Sequence, residues 1–431
     1  MLKVIHGYPP RYSAGSEVYT QTLCQGLNQN GHEVAVFARE EDPYKVEYAV
    51  SKESDGDVEI YLINKAHCRD RYIHDRVDDA FASLIDQFQP DIVHFGHLNH
   101  LSMSMVGAAK TREIPIVFTL HDFWLMCPRG QFLQQINSLS NDLYPVCEKQ
   151  DNRKCASSCY WRYFSGAATE VDEDMEYWTH WIERRMAKSR SICQLIDAYI
   201  APSKYLENRF VHEFGLDSNK VHYIDYGFDL DRLKGRERKN EESFVFGYIG
   251  THRQAKGIHN LIDAFLQLKG DVKLRIWGSP QALFTDSLKK KTANDHRIEW
   301  MGGYVNQDIV EDVFNHVDTI VTPSIWGENS PLVIHESLQA GVPTITADYG
   351  GMREYIHHEA NGLLFEHRSV DALAKQMQRF VDCPEFAQQL ARRGYLQSED
   401  GNIPSLQDHL IAIESLYEEV MNETRTMAHH I

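Results

Sequence analysis

The feature that most constrains this chain is a strand–helix rhythm that runs through one half, pauses, and starts again in the other. Short apolar segments at Lys3–His6, Glu33–Ala38, Asp91–Phe95, Ile114–Leu120, Ala198–Pro202 and Val221–Asp225 read as strands. Helical spacing of apolar residues covers Ser16–Asn28 and Ala80–Phe88 between them. Asn30-Gly31 closes the first helix, since glycine tolerates the left-handed cap conformation, and Pro90 stops the second. After a charged stretch, Arg232–Glu242, read as a linker, the rhythm resumes. Strands are predicted at Phe244–Ile249, Lys273–Trp277, Ile298–Met301, Thr319–Thr322 and Thr344–Thr346, with a helix over Ile258–Leu268. Alternation of this kind predicts parallel sheets covered on both faces, an α/β architecture. At 431 residues the chain suits two such domains rather than one. We place them at 1–231 and 243–404. A helix at about 405–425 follows, whose Leu410, Ile413, Leu416, Tyr417 and Val420 form a stripe that needs a partner surface.

Composition removes several classes of function. The formal charge of −18 disfavours nucleic acid as a partner and gives no support to electrostatic anchoring on an anionic membrane. No apolar run approaches the ~20 residues needed to cross a bilayer. Met1–His6 turns directly into Gly7-Tyr8-Pro9-Pro10, which predicts a buried first strand rather than a signal peptide, and a cytoplasmic location.

The sharpest motif is Trp326-Gly327-Glu328-Asn329-Ser330-Pro331-Leu332-Val333-Ile334-His335-Glu336. Ser330 suits a helix cap and Pro331 the first helical position. The amides of that first turn and the helix dipole predict an anion site. Glu328 precedes the helix and Glu336 lies about one and a half turns inside it. Carboxylates so placed suit hydroxyls of two sugars flanking a pyrophosphate; a surface helix with two solvated glutamates is the plainer reading. The loop Gly250-Thr251-His252-Arg253-Gln254-Ala255-Lys256-Gly257 offers Arg253 and Lys256 as cations for a departing diphosphate, or forms a solvated basic turn.

Around these motifs the chain resembles the family 4 retaining glycosyltransferases of the GT-B fold, marked by two glutamates separated by seven residues. The likeness takes in Tyr12-Ser13-Ala14-Gly15-Ser16-Glu17, Gly31-His32-Glu33-Val34, Asp91-Ile92-Val93-His94 and Thr119-Leu120-His121-Asp122. It continues through Ala201-Pro202-Ser203-Lys204, Gly227-Phe228-Asp229, Ala340-Gly341-Val342-Pro343-Thr344 and Gly350-Gly351-Met352-Arg353-Glu354. The resemblance implies two Rossmann-like doubly wound domains facing across a cleft, with the C-terminal helix returning to the N-terminal, acceptor-binding domain. It implies a nucleotide-diphosphate sugar donor, a glycan, lipid-linked or small-molecule acceptor, and no catalytic cofactor or divalent ion. Glu336 would bind the nucleotide ribose, and Glu328 would meet the donor sugar beside the Asn329, Ser330, Pro331 and Leu332 backbone. His121 would contact the same sugar, and Gly15 and Ser16 would face the donor phosphates or sugar. Lys256 matches the family's cation, whereas Thr251 stands where relatives carry arginine, so Arg253 is the substitute. Retention with hexosyl transfer is implied by resemblance alone.

Three patterns remain. Asp172-Glu173-Asp174 and Asp229-Leu230-Asp231 have an Asp-x-Asp form that arises readily in an acidic chain. Cys127, Cys147, Cys155 and Cys159 fall in an apparent insertion at about 123–180, too polar to build its own core; four thiolates there suit a structural zinc, with free thiols or, less readily, disulfides as the alternatives. Among rival functions, a nucleotide-sugar epimerase shares the fold, and a catalytically silent sugar-nucleotide binder needs turnover data to exclude. A nicotinamide oxidoreductase lacks its Gly-x-Gly-x-x-Gly after the first strand.

Overall fold

The computed structural model describes residues 1–66, 72–135, 144–161 and 172–428. They form two compact units. The first comprises Met1–Gln131, Lys149–Gly227 and Leu406–Ile431; the second comprises Phe132–Glu148 and Phe228–Ser405.

The first unit is built on an eight-stranded sheet in the order β3-β4-β2-β1-β5-β6-β7-β8. Its strands are β1 (Leu2–Val4), β2 (Ala35–Glu40), β3 (Val50–Asp55), β4 (Val58–Asn64), β5 (Val93–Phe95), β6 (Ile116–Thr119), β7 (Ala198–Ala201) and β8 (Val221–Tyr223). All neighbours run parallel except β3 and β4. β1 is central, with Leu2 facing Ala35 on one side and Val93 on the other. Leu2, Lys3 and Val4 are all buried, as a strand covered on both faces requires. The hairpin β3–β4 was not foreseen from the sequence. Its outer strand is polar and largely exposed, so it carries no apolar alternation to betray it.

The helix Gly15–Gln29 crosses one face, and the C-terminal helix Leu406–Ala428 packs against it. Gly26 makes that approach possible: a Cβ there would lie 2.7 Å from Leu410 Cδ1. Leu410, Ile413, Leu416, Tyr417 and Val420 are all buried.

The second unit holds a six-stranded sheet in the order β11-β10-β9-β12-β13-β14, parallel throughout. The strands are β9 (Phe244–Ile249), β10 (Val272–Trp277), β11 (Ile298–Gly302), β12 (Thr319–Thr322), β13 (Thr344–Ala347) and β14 (Gly362–Phe365). The stretch Arg232–Glu242 is tied to this unit rather than slack. Arg236 donates to the carbonyls of Phe314, Val317 and Gly341, and Arg238 pairs with Asp318 at 2.8 Å. Guanidinium forks satisfy carbonyls left over at element ends, a job that composition alone does not reveal. No described helix is long and apolar enough to cross a membrane.

The structure does not support the expected zinc site. Among the described residues no group of three or more His, Cys, Asp or Glu is placed to hold a metal ion. Cys147 lies in the second unit, its amide donating to Phe132, while Cys127, Cys155 and Cys159 lie in the first. All four thiols are buried. The insertion does recruit apolar cover, with Ala156 packing on Met175 and Trp178.

Candidate functional site

In the second unit the loops following the sheet strands converge on Glu328. Its Oε1 accepts three hydrogen bonds, from Lys256 Nζ (2.7 Å), Trp326 Nε1 (2.8 Å) and Ser324 Oγ (2.5 Å). Glu328 is only 7% exposed, so its carboxylate is held rigidly by groups that compensate its desolvation. Lys256 Nζ also lies 5.8 Å from the centre of the Trp326 ring. Ser324 and Trp326 were not assigned roles from sequence; hydroxyl and indole donors within four residues of a buried glutamate were the available signal.

Two glycines let the loops close. Gly257 has φ +69°, and a Cβ there would fall 1.8 Å from the Pro323 carbonyl oxygen. Ile325 N donates to Ala255 O across the same contact. Gly351 donates its amide to Glu328 O at 2.7 Å, and a Cβ on it would lie 1.5 Å from Asn329 O. No other residue fits either position, because these are backbone obstacles rather than flexible side chains.

The helix carrying Glu336 differs from expectation at its start. It spans Leu332–Gln339, and Pro331, not Ser330, occupies the cap position, with extended backbone (φ −69°, ψ 113°) and no side-chain cap bond. The backbone of Pro331 is extended rather than helical, so the helix begins one residue later than the cap rule suggests. Ser330 and Asn329 are buried in the loop ahead of it. Glu336 is buried, and its Oε1 is 2.5 Å from Arg232 Nη2. Arg232 also donates to Asn306 O at 3.1 Å. Arg232 lies 104 residues from Glu336, so sequence proximity offered no hint of this pairing. Arg253 is exposed, and among the described residues its side chain makes no hydrogen bond, unlike Lys256.

In the first unit, His121 follows β6 and is held between two tyrosines. Its Nδ1 lies 2.8 Å from Tyr226 Oη, the Tyr226 ring stacks on it, and Tyr19 meets it edge-on at 5.3 Å. Burial, then the charge of Lys3, keeps its pKa well below the ordinary histidine range, so the ring is neutral at physiological pH. Gly15 opens the first helix after Ala14, which caps it without a side-chain bond. The Ser16 hydroxyl donates to Glu17 Oε2 at 2.8 Å, and Glu17 Oε1 lies 3.1 Å from His6 Nε2. Burial pushes the Glu17 carboxyl up, but His6 and Ser16 outweigh it and bring it down to about 2. Of the Asp-x-Asp triplets, Asp229 accepts from the Asp231 amide while Asp231 pairs with Lys234, a local turn rather than a pair of ligands.

Both halves match families of known proteins. The family described as Glycosyltransferase Family 4 matches residues 13–232, and that described as Glycosyl transferases group 1 matches residues 229–397. The chain therefore belongs to the family 4 glycosyltransferases, and its two parallel-sheet Rossmann-like units are those of the GT-B fold. A glycosyltransferase of Methanocaldococcus jannaschii is 24% identical over 87% of each chain. A capsular polysaccharide biosynthesis glycosyltransferase of Staphylococcus aureus is 23% identical over 52% of this chain and 62% of its own. In fold, the chain is similar to HepE of Anabaena, solved with UDP and glucose (TM-score 0.66, 14% identity, 97% and 98% covered). It is also similar to sucrose-phosphate synthase of Thermosynechococcus elongatus (TM-score 0.69, 16% identity, 98% and 99% covered).

Proposed function

We propose that this glycosyltransferase is a retaining hexosyltransferase that moves a sugar from a nucleoside-diphosphate donor to a glycan, lipid-linked or small-molecule acceptor without a catalytic metal. The observation that carries the reading is the anchored Glu328, tied to Lys256 and standing ahead of the helix that carries Glu336. In this reading Glu336 accepts from the ribose hydroxyls, while Arg232 neutralises and orients it. Lys256 and the exposed Arg253 stabilise charge developing on the leaving diphosphate. Glu328 and the Asn329–Leu332 backbone bind the donor sugar and phosphates, and in the first unit the donor contacts are assigned to His121, Gly15 and Ser16. The acceptor's proton passes to the departing phosphate. The HepE structures with UDP, and the polysaccharide role of the Staphylococcus aureus relative, make UDP-glucose the first donor to test and a growing polysaccharide the first acceptor. We place this chemistry in the cytoplasm, where nucleotide sugars are made.

Calorimetry with UDP, GDP and ADP on wild type, Glu336→Ala and Glu328→Ala tests the reading. Glu336→Ala is expected to lose about 1.5–3 kcal/mol of nucleotide affinity, the worth of a charged hydrogen bond. Glu328→Ala is expected to retain nucleotide affinity and lose turnover. Equal affinity in Glu336→Ala and wild type overturns the ribose assignment.

A further inference from the structure

The imidazole of His409, on the C-terminal helix, joins two residues far apart in sequence. Its Nδ1 lies 2.7 Å from the Asp225 carbonyl oxygen, and its Nε2 lies 3.0 Å from the Tyr19 hydroxyl. A carbonyl only accepts, so Nδ1 carries the proton. Nε2 then presents a lone pair, and the Tyr19 hydroxyl must donate to it. Burial brings the His409 pKa down to about 4, so this tautomer persists unprotonated across the physiological range.

Those two partners lead to the same place. Tyr19 is one wall around His121, and Asp225 immediately precedes Tyr226, the other wall and the hydrogen-bond partner of His121 Nδ1. The rings of Tyr19 and Tyr226 also touch, with centroids 4.7 Å apart. One imidazole thus grips both sides of the His121 cage, and the helix bearing it is seated by Leu410 on Gly26 and by Tyr417 on His94 (2.6 Å). Lys3, His94 and Tyr417, near the cage, are buried with it.

We propose that His409 is a positioning residue for His121: through Tyr19 and Asp225–Tyr226 it sets the orientation of the imidazole that meets the donor sugar. The inference rests on that reading of His121. It gives the returning C-terminal helix a task beyond covering the sheet, since undocking it loosens the cage.

The test uses the full chain with His409→Phe, His409→Gln and Tyr19→Phe. The first readout is the ring-nitrogen NMR signals of His121, assigned by their loss in His121→Ala. The second is UDP release from UDP-glucose, resolved into kcat and KM. His409→Phe is expected to shift the His121 signals and to lower kcat between about ten- and a hundred-fold, as misplacement of a substrate-contacting group does, with KM nearly unchanged. Tyr19→Phe should move both in the same direction even if His409→Phe fails to fold. His409→Gln, able to donate and accept, should recover most of the loss, and His409→Phe should cost nothing further when added to His121→Ala. Unchanged His121 signals in a folded His409→Phe or Tyr19→Phe protein overturn the proposal. Wild-type turnover by His121→Ala instead overturns the role of His121 at the donor, and the NMR readout then still decides the positioning.

Discussion

Lys3 sits in the middle of β1 with no exposed surface, and among the described residues its ammonium makes no hydrogen bond. Burial pushes its pKa down from 10.5 to about 7. Because the folded form binds its proton less tightly, the unfolded chain carries more protons between pH 7 and 10.5, and stability rises with pH through that window. Below pH 7 the cost is fully present. At pH 7 the gap of roughly three pKa units corresponds to about 4 kcal/mol. The face of Tyr19, 5.7 Å from Nζ, returns about 1 kcal/mol of that through its ring quadrupole. Lys3→Met keeps the volume and removes the charge, so it should stabilise the first unit by roughly 3 kcal/mol near neutrality. Urea denaturation at about pH 7 and about pH 9.5, followed by tryptophan fluorescence, measures this. The advantage of the variant should shrink to roughly 1 kcal/mol at the higher pH, as the wild-type lysine no longer has a proton to lose. A variant less stable than wild type at neutral pH, or an advantage independent of pH, refutes the reasoning.

Two neighbouring ion pairs of similar length should differ sharply. Arg232–Glu336 is buried, with side chains 9% and 4% exposed, whereas Lys234–Asp231 is open to solvent. Arg232→Ala should cost about 3–5 kcal/mol by stranding a buried carboxylate, whereas Lys234→Ala should leave stability nearly unchanged, and equal melting shifts would contradict this. Glu17, with its pKa down near 2 against 4.5, contributes stability above pH 4.5 that is lost as pH falls toward 2, although burial holds His6 below its ordinary value and limits the charged pair to the acid side. Glu17→Gln should flatten that acid limb in a pH titration of unfolding; an unaltered limb counts against the His6–Glu17 pair. Gly257→Ala should cost more than about 2 kcal/mol in melting stability through its positive φ and backbone clash, and a neutral result would mean the loop yields.

Much of the fold was legible in advance because parallel strands buried on both faces are continuous apolar runs. Phe244–Ile249 and Thr319–Thr322 were placed to the residue on that basis. The helix holding Glu336 was legible too, from a proline before an apolar-periodic stretch, though not its cap. The polar edge strand Val50–Asp55 was not, since it meets solvent on its outer side and needs no pattern.

What the sequence determined alone was which chemistry-bearing residues exist and which stand near one another along the chain: Glu328 before Glu336, Lys256 in its glycine-bounded loop, His121 at a strand end. What only the tertiary structure decided was who neutralises and orients them. Arg232 reaches Glu336, and His409 reaches the walls of His121, across long stretches of chain. The four cysteines show the converse, since nearness in sequence did not bring them to one centre. The reason is physical. Local spacing sets the geometry within one helix or turn, but a buried charge takes whichever compensating group the packed elements bring within about 3 Å, and packing is not a local property.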